Sequence, residues 1–96
     1  MGWFDSKREQ RQEANTRRLK IVNGLTGLRR QATSDAGRKL ITNELEDIKR
    51  RSYKRIPQKV DTYLEHFRTE MARADLEAYQ QHTEQRQHRS MNIGLP

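Results

Sequence analysis

The chain has no cysteine, and among its 96 residues only two prolines, one tryptophan, three tyrosines and two phenylalanines. Without cysteine there can be no disulfide and no thiolate metal site. No apolar run approaches the roughly 20 residues that a membrane-spanning helix needs, so no membrane span is expected. No alternating strand pattern and no internal repeat is present. Hydrophobic residues make up 31% of the chain and charged ones 34%, whereas ordinary globular chains are nearer half apolar. The core that such a sequence can bury is thin, and contact with a larger body or a second copy would strengthen it.

Chemistry is also scarce. There is no glycine-rich phosphate loop and no nucleophile elbow. His66, His82 and His88 are the only histidines, and the spacing of the last two does not place them on one helical face. No metal, cofactor or small-molecule substrate is expected, and no enzyme. Glu44, Glu46 and Asp47 form an acidic knot, but Glu44 and Asp47 are spaced to pair with Lys39, Arg50 or Arg51 along a helix.

What the sequence does contain is helical periodicity. Val60, Leu64, Phe67, Met71, Ala74 and Ala78 recur at alternating spacings of four and three, the seam of a helix packed along its length against others. Ala14, Ile21, Leu25, Leu28 and Ala32 share one face of an earlier segment, with Arg18 where the stripe calls for an apolar residue. Ile41, Leu45 and Ile48 mark a third face, with Leu40 to one side. The fold class is therefore all-α, with helices over about 6–31, 35–53 and 57–86 in a thin hairpin or bundle. A single helical domain over 1–86 and a polar tail over 87–96 are expected.

Punctuation refines the boundaries. Asp5 or Ser6 can cap the first helix and Ser34 the second. Gly24 and Gly27 each cost about 1 kcal/mol relative to alanine inside a helix. The first helix is nonetheless expected to be weakened rather than broken, its glycines admitting a close neighbour. Pro57 suits a first helical turn but not an interior, so a break precedes it. Leu76 and Tyr79 lie well around the third helix from its seam, forming a second small apolar patch.

Charge is unevenly spread. The net charge is +7, with sixteen Lys and Arg against seven Asp and Glu in residues 1–60, and four against six thereafter. Fourteen of the twenty cations are arginine, the side chain best shaped for phosphate and carboxylate forks. Lys49, Arg50, Arg51, Lys54, Arg55 and Lys59 place six cations within eleven positions, with Tyr53 among them. Arg17 with Arg18, and Arg29 with Arg30, add two smaller clusters. Such a run can follow a phosphate backbone while Tyr53 stacks a base, but no motif for sequence-specific readout accompanies it.

Two functional expectations follow. The first is a non-enzymatic structural or accessory subunit docking onto a larger assembly, such as a virion or nucleoprotein particle, or onto itself. Its contacts would be the apolar seams, with Trp3 and Phe4 at one end and Ile93 and Leu95 at the other as hooks. The second is a non-specific DNA- or RNA-binding protein acting through the basic residues of 1–60. The expected compartment is the cytoplasm, or a particle assembled there.

Overall fold

The computed structural model describes the backbone of residues 3–94 and the side chains of residues 6–81. Among these residues it is all-α: α1 spans Trp3–Gln31, α2 Asp35–Arg50 and α3 Val60–Gly94, with a short 3-10 helix at Tyr53–Arg55. The expected fold class is what the chain adopts.

Three elements differ in extent from the sequence pattern. Helix α2 ends at Arg50 because Arg51 turns extended, at φ −65° and ψ 143°, while its N–H still closes onto the Asp47 carbonyl. Ser52 then caps the 3-10 turn by accepting the Lys54 N–H. Helix α3 begins at Val60 rather than at Pro57, and runs to Gly94 through the segment that the pattern reads as a tail. Helix α1 begins at Trp3, so Asp5 and Ser6 lie inside it and do not cap it, and it is unbroken across Gly24 and Gly27 as expected.

The apolar stripes meet in one core. Ala14, Ile21, Leu25 and Leu28 from α1 and Ala32 just past its end join Ile41, Leu45 and Ile48 from α2, Ile56 from the connection, and Met71 from α3, all buried. Val60, Leu64 and Phe67 of the α3 seam pack against them half-buried. A seam position is ordinarily buried, as Met71 is, and the pattern predicts the same for Phe67. Instead it sits at the margin, its ring 4.9 Å from that of Tyr63 and 5.1 Å from that of His66.

Long-range contacts fix how the helices run. Ser34 caps α2 by accepting the Gly37 N–H at 3.0 Å, so a tight turn sends α2 back along α1. Arg17 Nε donates to the Pro57 carbonyl, 40 residues on, and the Thr33 N–H donates to Asp75, 42 residues on. Gly24 faces Leu64 between these two points. Pairs along α1 and α3 thus advance together, making α3 parallel to α1 and antiparallel to α2, an up-down-up bundle.

Gly24 permits this close approach. A Cβ there would lie 2.5 and 2.8 Å from the Leu64 methyl carbons, whereas one at Gly27 would meet nothing within 4 Å. Only the first glycine is required by packing. The molecule measures 84 × 19 × 16 Å. Residues 79–94 carry α3 about 24 Å beyond the seam, at 1.5 Å per residue.

Candidate nucleic-acid interface and docking surface

The basic residues singled out by the sequence do not form one surface. Arg29 and Arg30 occupy the last turn of α1, at the end of the bundle where Asp75 meets the α1–α2 turn. There they complement the negative end of the helix dipole. Lys49 and Arg50 play the same part in the last turn of α2, at the opposite end of the bundle.

Three of the expected phosphate contacts turn inward. Arg18 donates from one terminal nitrogen to the Arg51 carbonyl at the C-cap of α2, and from the other to Asn15 Oδ1 at 3.3 Å. The α1 stripe carries an arginine because that position faces the carbonyl end of a neighbouring helix. Arg17 is half-buried, with its Nε on the Pro57 carbonyl. Arg51 binds Asp47 at 2.7 Å through Nε and Glu44 at 3.3 Å through a terminal nitrogen.

Glu44 also accepts the Tyr63 hydroxyl, tying α2 to α3. Burial, then the hydrogen bond to Glu44, push the Tyr63 phenol well above its ordinary range. Burial works against the Arg51 cation, yet the Asp47 carboxylate holds the guanidinium above its ordinary value. Glu44 and Asp47 of the acidic knot thus belong to a network with Arg51 and Tyr63 that joins α2 to α3, while Glu46 stays exposed. Tyr63 gave no signal in the stripe pattern, since its partner lies 19 residues away on another helix.

Lys49, Arg50, Lys54, Arg55 and Lys59 remain exposed at the α2–α3 end. Tyr53 lies among them, half-buried against the core. The Arg11 guanidinium carbon stands 5.2 Å from its ring centroid and the Lys54 Nζ 5.9 Å from the same point. A groove of about 420 Å³ opens beside it between α1 and the connection, lined by Gln10, Glu13, Arg17, Tyr53, Lys54, Ile56 and Gln58.

The α3 seam faces inward. Met71 is buried, and Val60, Leu64, Phe67, Ala74 and Ala78 are half-buried. Leu76 and Tyr79 stand outside the seam, 56% and 69% exposed, just where α3 begins to outrun the bundle. Leu19 on α1 is the other large exposed apolar residue among those described. The four hooks at the ends, Trp3, Phe4, Ile93 and Leu95, lie outside the residues whose side chains are described.

Among the described residues no group of three or more His, Asp or Glu is arranged to hold a metal ion. His66 stacks edge-on against Phe67 instead. No described helix is long and apolar enough to cross a membrane.

These features define a small all-α protein, an up-down-up three-helix bundle with five exposed cations at the α2–α3 end and a long helical projection at the other. No known protein family, curated protein or solved structure matches the chain.

Proposed function

We propose that the protein is a non-enzymatic helical accessory subunit that docks onto a larger assembly, in the cytoplasm or inside a particle such as a virion or nucleoprotein particle built there. The observation that carries this reading is the exposure of Leu76 and Tyr79, 56% and 69%, on adjacent turns of α3 where it leaves the bundle. The bundle fills its own seam, so that seam is not the docking surface. The projecting part of α3 is. A helix laid into a partner's groove through a few apolar anchors is a common recognition mode. Exposed aromatic and aliphatic side chains at neighbouring positions suit it.

A photo-crosslinking amino acid placed at position 79 in the native cell tests the reading, with position 62 as control. A single adduct of defined mass from position 79 but not from 62 is expected. Equal labelling from both positions, or none from 79, would overturn it.

A second reading is favoured by the exposed cations at the other end. Lys49, Arg50, Lys54, Arg55 and Lys59 suit non-specific contact with the phosphate backbone of DNA or RNA. Under this reading the work falls to these five residues and the terminal nitrogens of Arg17 rather than to the whole of 1–60, because Arg18 and Arg51 are engaged within the bundle and Arg17 spends only its Nε there.

A further inference from the structure

We infer that the groove between α1 and the α2–α3 connection is a binding site for single-stranded nucleic acid, taking one nucleotide against Tyr53 with its phosphate on Lys54 and Arg17. The inference deepens the second reading above by naming the form of nucleic acid and the residues that distinguish it.

Two cations from distant segments, Arg17 of α1 and Lys54 of the connection, line this groove, and a third, Arg11, stands over the Tyr53 ring beside it. Arg11 and Lys54 both lie within 6 Å of the Tyr53 ring centroid, and Arg17 lines the groove beside that ring. Arg17 is held in place by the Pro57 carbonyl. Glu13 is the one carboxylate in the lining, and no ion pair joins it to any of the three. The lining thus carries two cations against one carboxylate, a balance that favours an anion.

The groove asks for more than a simple anion. At about 420 Å³ it falls within the roughly 300–1,000 Å³ range of small-ligand sites. The Gln10 and Gln58 amides in its lining offer both donors and acceptors to a base edge. Tyr53 offers an aromatic surface already attractive to planar cations, and a guanidinium such as Arg11 stacks on bases as readily as on rings. Bases in a duplex are paired and stacked and cannot enter such a groove, whereas an unpaired base can. Arg55 and Lys59, exposed and adjacent in sequence to the lining residues Lys54, Ile56 and Gln58, would take the neighbouring phosphates.

Fluorescence anisotropy on the full chain tests this, using a labelled twelve-nucleotide thymidine strand and a duplex of equal length. The wild type should bind the single strand at least tenfold more tightly. Tyr53→Leu should lose fivefold or more on the single strand, leave duplex binding unchanged, and keep the salt dependence. Lys54→Gln should weaken both and flatten the log–log salt slope by about one unit. Tyr53→Phe, which preserves ring and packing, should bind as the wild type does. A strand carrying 4-thiothymidine should crosslink to the peptides that hold Tyr53 and Gln10, a measurement that needs no variant to fold. Equal affinity for strand and duplex, or crosslinks only elsewhere, would overturn the groove while leaving phosphate contact intact. No binding of either probe at low salt would overturn both.

Discussion

The Asp75 carboxylate on α3 accepts both the backbone N–H and the hydroxyl of Ser34, the residue whose hydroxyl oxygen caps α2. It also accepts the Thr33 N–H at 3.1 Å. One hydroxyl therefore joins the start of α2 to the middle of α3, and one carboxylate satisfies donors that the α1–α2 turn leaves open. Residues 33–34 and 75 close the far end of the bundle, as Arg17, Arg18 and Arg51 close the near one.

This contact should make stability sensitive to acid. Burial works against the Asp75 anion, but the hydrogen bonds from Ser34 and Thr33 hold its carboxyl below the usual carboxylate range. Its folded-state pKa thus lies below the unfolded value of about 3.9. The stabilisation it gives is complete above about pH 5 and lost as the pH falls through the folded-state value. Urea unfolding of Asp75→Asn should show lower stability than wild type at pH 7, with the two curves converging towards pH 2. Parallel curves would show that Asp75 contributes nothing through its charge.

Two glycines should respond oppositely to alanine. At Gly27 an added Cβ meets nothing within 4 Å, so Gly27→Ala should stabilise by about 1 kcal/mol through helix propensity. At Gly37 the Cβ would press on Asp75 Oδ1 and lie 3.0 Å from its Cγ. That carboxylate is fixed by its three donors, so Gly37→Ala should destabilise by about 1–3 kcal/mol. Urea midpoints of the two variants, measured side by side, give the comparison.

Gly24 should change sign with its neighbour. The Leu64 methyls occupy the space an alanine needs, and overpacking of about 1–3 kcal/mol outweighs a helix-propensity gain of about 1 kcal/mol. Gly24→Ala should therefore destabilise the wild type. In a Leu64→Ala background the same change should stabilise by about 1 kcal/mol. A double-mutant cycle measures this, and an unchanged sign would show that the two residues do not meet.

The helices and most of the core were legible because periodicity encodes them. Every α1 and α2 residue placed on an apolar face, from Ala14 to Ile48, is buried apart from Leu40, which the pattern set aside. The Ser34 cap is likewise a local signal. What the pattern did not carry is long-range: the burial of Ile56, the inward turn of Arg18 and Arg51, and the bonds of Asp75 and Tyr63. Arg18 meets its acceptor 33 residues away and Asp75 meets Ser34 across 41, separations at which spacing says nothing about contact. The basic run read as one surface because sequence counts charges without showing which ones helix ends and carboxylates already hold. Pro57 looked like a helix start, yet its carbonyl serves Arg17 and α3 begins three residues later.

The central claim is that the α3 seam is filled from within one chain. The thermal midpoint measured over a hundredfold range of protein concentration tests it most directly, because a core shared between copies makes melting concentration-dependent. The account predicts a midpoint that does not move, and a Met71→Ala variant that melts lower by the same amount at every concentration. A midpoint that climbs with concentration would contradict it, since Met71 and its neighbours would then be packing against another molecule.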